Sequence, residues 1–306
     1  MTNLTCKIGN IEFKNPLFTA SGTFGYGNDV PEFVDVSKIG AVITKSITYE
    51  PRIGNPPPRI VETSSGLLNS IGLANIGVRK FIKEIIPFYK DISTNIIVNI
   101  AGSTIDEYIK VLKEIEAIST DIIGYEINIS CPNVEHGGME IGVDEGLSNK
   151  LISELQKYTE KLIIVKLTPN VTNIGKIAQA VEAAGADAIS AINTIVGMGI
   201  DIKTFKPKIY KTYAGLSGPA IKPIALAMVH KISKVVSIPI IGIGGIVNFE
   251  DLVEFILAGA TAVQIGTANF RNPNAVAEIQ NDLEKYLKDN NFQHYSELIG
   301  KLELYV

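Results

Sequence analysis

The stretch Asn128-Ile129-Ser130-Cys131-Pro132-Asn133 sets an ionisable thiol between two amides. It follows an apolar run, residues 122–129, that reads as a buried strand, so the cysteine stands where a strand gives way to a loop. A thiol in that setting is a candidate for proton transfer. Free cysteines are more commonly small buried hydrophobes, so the neighbours have to decide between the two readings. Several other chemistry-bearing residues share the same address. Lys45 and Lys166 lie in or at the end of apolar runs, where an ammonium costs free energy unless it finds a partner. Asn99, Asn128 and Asn193 end three more such runs. A single lysine there could snorkel to solvent, but two lysines and three asparagines at equivalent positions point to one shared site. Gly244-Gly245 and Gly266-Thr267 follow two further runs, and bare backbone N–H groups at such turns can close on an anion. His136 lies near Cys131 in sequence but brings no third orienting residue, which makes a weak nucleophile pair. Cys6 reads as structural, and His230 and His294 as surface or packing residues of helical stretches.

The elements that must position these residues alternate. A hairpin over residues 4–14 turns at Gly9-Asn10. Eight candidate parallel strands follow at 17–21, 41–46, 96–101, 122–130, 162–167, 188–193, 238–244 and 262–266, most of them rich in Ile, Val and Ala on both parities, as strands buried on both faces should be. Amphipathic stretches at 106–119, 147–160, 174–184 and 224–235 lie between them, with Asn173 and Asn248 where N-caps belong. Eight βα units in roughly 250 residues predict an α/β fold, a (β/α)8 TIM barrel with an N-terminal hairpin, formed by the whole chain 1–306 as a single domain. A doubly wound open sheet is the second architecture. Segments 47–76, which holds Pro56-Pro57-Pro58-Arg59, and 194–223 are too long for ordinary βα loops. Both leave strand C-terminal ends, so both should fold over the C-terminal mouth, where barrel chemistry sits.

Composition removes other classes. The 306 residues carry a net charge of −4, with 20% charged and 46% hydrophobic residues, which argues against a dedicated nucleic-acid surface. Two cysteines are too few for a disulfide framework or a four-cysteine cluster. No apolar stretch is long enough to span a bilayer, and the N-terminus lacks the pattern of a secretory signal. The expectation is a cytoplasmic protein with no metal of its own. The segment Ile241-Gly242-Ile243-Gly244-Gly245-Ile246 resembles part of a dinucleotide fingerprint, but Val247 stands where the third glycine belongs, so a Rossmann reading fails.

An anion site on one side, with amides and lysine across the floor, suggests a phosphorylated planar cofactor. Flavin mononucleotide (FMN) would use a lysine to stabilise negative charge on its reduced ring. Pyridoxal phosphate would use it as a Schiff base. Sequence chemistry leaves both open.

Specific motifs resemble one family. Thr44-Lys45-Ser46, Gly54-Asn55-Pro56-Pro57-Pro58-Arg59, Leu68-Asn69-Ser70-Ile71-Gly72-Leu73, residues 128–133, Ala191-Ile192-Asn193-Thr194, residues 242–246 and Gln264-Ile265-Gly266-Thr267-Ala268-Asn269 are together similar to class 1 dihydroorotate dehydrogenases over nearly the whole chain. Residues 131–139 and 215–223 resemble the NAD-linked type (class 1B) and its catalytic subunit. The resemblance implies FMN held by Ser21, Lys45, Ser46, Asn99, Asn128, Lys166, Ile192, Gly218, Gly244, Gly245, Gly266 and Thr267. It implies dihydroorotate held by Lys45, Asn69, Ser70, Ile71, Gly72, Leu73, Asn128, Asn193 and Thr194, with Cys131 as catalytic base. It further implies oxidation of (S)-dihydroorotate to orotate in pyrimidine biosynthesis. Electrons would pass to NAD through a partner subunit carrying FAD and a [2Fe–2S] cluster, with a homodimer of this chain at the core of a heterotetramer. Alternatives are a fumarate-linked class 1 enzyme, another flavin barrel such as a tRNA dihydrouridine synthase, a Schiff-base lyase using Lys166, and a non-catalytic flavin-binding subunit.

Overall fold

The computed structural model describes residues 3–118, 121–130 and 141–305. In chain order its strands begin with a hairpin, β1 (Cys6–Ile8) and β2 (Ile11–Phe13), then β3 (Leu17–Thr19), β4 (Ala41–Ile43), β5 (Ile60–Thr63), β6 (Gly66–Asn69), β7 (Asn95–Ile100) and β8 (Ile122–Asn128). They continue as β9 (Leu162–Leu167), β10 (Ala188–Ala191), β11 (Ile195–Gly197), β12 (Ile200–Asp201), β13 (Lys206–Pro207), β14 (Ala214–Ser217), β15 (Ile240–Ile243) and β16 (Ala262–Ile265). The α-helices are α1 (Val78–Glu84), α2 (Ile105–Glu116), α3 (Glu145–Leu155), α4 (Ile174–Ala183), α5 (Lys222–Ser233), α6 (Phe249–Leu257), α7 (Ala268–Arg271) and α8 (Ala275–Asp289).

Eight of these strands close into a parallel barrel in the order β3-β4-β7-β8-β9-β10-β15-β16. The eight predicted runs supply those eight strands, most of them ending one to three residues earlier than the apolar pattern suggests. The reason lies in composition. All six residues of β9, Leu-Ile-Ile-Val-Lys-Leu, are buried, because barrel strands meet side chains inside and helices outside. Helix α2 buries Tyr108, Val111, Leu112 and Ile115, a spacing that lays one face on the strands. The N-cap oxygens of Thr104, Asp144, Asn173 and Asn248 each accept a first-turn N–H, and Asn248 with Asp251 completes a capping box. Each such cap starts a helix cleanly and is worth about 1 kcal/mol.

The hairpin lies at the opposite end of the barrel from the mouth. The Phe13 ring packs, tilted, at 4.8 Å from that of Phe18 of β3, and Cys6 Sγ lies 3.8 Å from the carbonyl of Thr261, just before β16. His294 departs from the helical placement: it is the extended N-cap of a short 3-10 turn, Tyr295–Leu298.

The two long excursions are not loops throughout. Strands β5 and β6 from the first pair with β14 and β11 from the second, making a four-stranded antiparallel sheet in the order β11-β14-β6-β5. Strands β12 and β13 form a further two-stranded ribbon. Proline- and glycine-rich stretches give weak strand signals, and the partner of β6 lies more than a hundred residues away in sequence, so local pattern could not reveal the pairing.

Candidate active site

The barrel interior carries a polar network below the mouth. Glu126 of β8 is fully buried. Its Oε1 accepts from Asn99 Nδ2 at 2.7 Å and lies 3.5 Å from Lys166 Nζ. Its Oε2 accepts from Ser190 Oγ at 2.8 Å and Gln264 Nε2 at 2.5 Å. Asn99 in turn accepts from Ser46 Oγ at 2.5 Å. These partners stand on or just beyond five different barrel strands, so closure of the barrel assembles the network.

Above it opens a cavity of about 290 Å³. Ser21, Lys45, Ser46, Asn128, Lys166 and Ile192 line it from the ends of β3, β4, β8, β9 and β10. Gly218, Gly244, Gly245, Gly266 and Thr267 line it on the side of β15 and β16. Asn69, Ile71, Leu73, Asn193 and Thr194 line it from the excursions and the end of β10. Three expected residues do not reach it. Asn99 is wholly buried behind the wall, bridging Ser46 and Glu126. The Ser70 carbonyl and hydroxyl are taken by Asn55 Nδ2, at 3.2 and 2.9 Å. At Gly72, a Cβ would fall 2.6 Å from the Asn55 nitrogen, so its place is set by packing against that turn. Cys131 and His136 lie outside the described residues.

The glycine rim is locked from below. Gly244 and Gly245 have φ of 134° and 77°, which a side chain would strain. The Asp251 carboxylate accepts the N–H groups of Val247 at 2.8 Å and Asn248 at 3.3 Å, and receives Lys222 Nζ at 2.6 Å. Lys222 also meets Glu254 at 2.8 Å, so its charge is spent on the wall. Across the rim, Thr267 donates to Ser217 Oγ at 2.8 Å, tying β14 to the turn after β16. On the other side Asn193 Nδ2 donates to Asn128 Oδ1 at 3.2 Å, while its own Oδ1 accepts the Thr194 N–H at 2.8 Å.

The cavity's two lysines are short of partners. Among the described residues Lys45 Nζ has no hydrogen bond or ion pair, and burial, then the nearby Arg59 charge, lowers its pKa. Lys166 is 6% exposed and among the described residues its ammonium meets only Glu126, at the long distance of 3.5 Å. Half-buried or buried cations with open donors, beside a glycine-turned rim, fit an anionic ligand with acceptor groups along one edge. A phosphorylated planar cofactor matches that donor set. Among the described residues no group of three or more His, Cys, Asp or Glu is placed to hold a metal ion, and no helix is long and apolar enough to cross a membrane.

Sequence reasoning missed Glu126 and Ser217. Glu126 had a signal, a charged residue inside an apolar strand on the same parity as Asn128. Ser217 had none, because its role depends on the pairing of β14 with β6.

A parallel barrel whose mouth gathers lysines short of partners, amides and glycine turns has the layout of a cofactor-binding enzyme barrel. The comparisons with known proteins narrow that class. The family model described as dihydroorotate dehydrogenase matches residues 3–287, and the chain belongs to that family. It is 49% identical over 302 residues to a protein of Thermoanaerobacter sp. (strain X514), covering 99% of each chain. It is 50% identical over 302 residues to one of Desulforamulus reducens, again covering 99% of each, and 49% identical over 300 residues to one of Trichlorobacter lovleyi, covering 98% of each. All three relatives bear the name dihydroorotate dehydrogenase B (NAD(+)), catalytic subunit.

Proposed function

We propose that this chain is the FMN-binding catalytic subunit of an NAD-linked dihydroorotate dehydrogenase, oxidising (S)-dihydroorotate to orotate in pyrimidine biosynthesis. The observation that carries the reading is the pair of cavity lysines, among the described residues Lys45 without a partner and Lys166 with one distant one, in a chain of this family. An acidic substrate and a phosphorylated cofactor are what such a cavity would attract.

The residues divide the work by position. Backbone groups of Gly218, Gly244, Gly245, Gly266 and Thr267 would take the cofactor phosphate. Lys166, Ser46 and Asn128, with Asn99 behind Ser46, would take the polar edge of the ring, and Ser21 and Ile192 would bound it. Lys45, Asn69, Asn128, Asn193 and Thr194 would hold the substrate carboxylate and its amide edges, with the 70–73 turn closing over it. Lys and Asn suit these tasks, since carboxylates need donors and a cyclic amide needs both donors and acceptors. FMN held by these residues would supply the acceptor for the hydride leaving C6. Cys131, directly after the strand-end segment 128–130, would accept the proton from C5. A thiol reaches that role when its site favours the thiolate.

Electrons would leave through a partner subunit carrying FAD and a [2Fe–2S] cluster, on a homodimer of this chain within a heterotetramer in the cytoplasm. The name "catalytic subunit" borne by the relatives supports a partner, and this chain shows no complete dinucleotide fingerprint of its own.

The test is an absorbance spectrum of the purified chain followed by anaerobic addition of dihydroorotate. We expect a flavin spectrum that bleaches on addition, with turnover on artificial acceptors and NAD reduction only after the partner is supplied. A colourless chain, or efficient NAD reduction without any partner, would overturn the reading.

A further inference from the structure

The proposed function leaves one buried charge unused. Glu126 touches neither the cavity nor solvent, yet it meets donors from four barrel strands: Asn99, Lys166, Ser190 and Gln264. Every one of these neighbours can donate to it. Gln264 gives its Nε2–H to the carboxylate while its own Oε1 stays buried without a partner among the described residues. An orphaned buried acceptor is costly, and the donor it leaves to the carboxylate offsets that cost. Glu126 is thus a carboxyl group fixed from several sides inside the barrel. Its cationic neighbour among the described residues is Lys166, which lines the cavity.

A carboxylate held by three neutral donors anchors Lys166 Nζ from below and, among the described residues, leaves its remaining N–H groups open to a ligand. Asn99 is fixed by the same carboxylate and transmits the constraint to Ser46 at the cavity wall.

We propose that Glu126 is a positioning residue that holds the Lys166 ammonium directed into the cavity, and through it sets how strongly the bound flavin is driven to accept electrons. This rests on the FMN reading above. A cation beside the flavin edge favours the reduced, more negative form, so its loss should lower the midpoint potential.

The experiment is a reductive titration of the flavin in the holoprotein against a reference dye, for the wild type, Glu126→Gln, Lys166→Met and the double variant. We expect a lower midpoint potential in Glu126→Gln, a lower one in Lys166→Met, and no further drop when both are combined. An unchanged or raised potential in Glu126→Gln overturns the proposal. So does a Glu126→Gln shift that persists in full in the Lys166→Met background, since a purely structural glutamate would act regardless of Lys166. If Glu126→Gln alone does not fold, recovery of folding in the double variant supports the coupling, because removing both members of a buried pair is often neutral while removing one is not. Failure of both to fold overturns it. Absence of flavin from the wild-type protein would defeat the functional reading itself, whereas an unmoved potential in a flavin-loaded variant defeats only this inference.

Discussion

The two cavity lysines should respond in opposite ways to the same substitution. Lys45 has no hydrogen bond or ion pair among the described residues, and burial and Arg59 lower its pKa. A folded-state pKa below the unfolded value means that the charged form is disfavoured by folding. That penalty is present below the folded pKa and disappears as pH rises past the unfolded value near 10.4. Lys45→Met removes the penalty at pH 7, so the flavin-free protein should melt at the same temperature or higher. Lys166→Met strips Glu126 of its cation. Breaking a buried pair costs about 3–5 kcal/mol. Because Asn99, Ser190 and Gln264 still donate to the carboxylate and the lysine contact is long, the lower end applies, about 3 kcal/mol. At roughly 2 °C per kcal/mol for a chain of this size, the melting temperature should fall by about 6 °C. Function should move differently. Losing one charge-assisted hydrogen bond costs about 1.5–3 kcal/mol, so Lys45→Met should weaken orotate binding by roughly 10- to 150-fold. Differential scanning calorimetry of the flavin-free variants and orotate titration of the flavin-loaded ones are the assays. Equal destabilisation by the two substitutions, or a Lys45→Met protein that binds orotate as the wild type does, would refute the reasoning.

Cys131→Ala should retain flavin yet lose nearly all dihydroorotate oxidation near neutral pH in a flavin-bleaching assay; near-wild-type turnover would remove the thiol from the mechanism. Burial pushes the Cys6 thiol up to about 11, against a smaller opposing hydrogen bond with Tyr295. In the Cys131→Ala background a thiol reagent at pH 8 should therefore titrate no cysteine in the native protein and one after denaturation. Because the folded pKa is the higher one, this thiol's contribution to stability is complete below about pH 9 and declines as pH rises through 11. Gly242→Ala should cost about 1–3 kcal/mol in a urea melt, since a Cβ there would lie 2.4 Å from the buried Phe255 ring.

The barrel was legible because its signals are local. Each buried parallel strand is a short run of Ile, Val and Ala, and each N-cap is one side chain, as Asn173 and Asn248 show. The strand-end rule places Lys45, Asn128, Lys166, Gly244 and Thr267 at one mouth, and all five line the cavity. What sequence could not give depends on which distant segments meet. The pairing of β6 with β14 joins residues some 150 positions apart, and it decides that Ser217 and Asn69 border the site. Only barrel closure brings Asn99, Lys166, Ser190 and Gln264 onto one carboxylate. It also decides that Asn99 supports the wall from behind, while Ser70 is held by Asn55. Spacing along the chain names the residues at a strand's end. Which of them faces the cavity, and which faces another side chain, is set by packing in three dimensions.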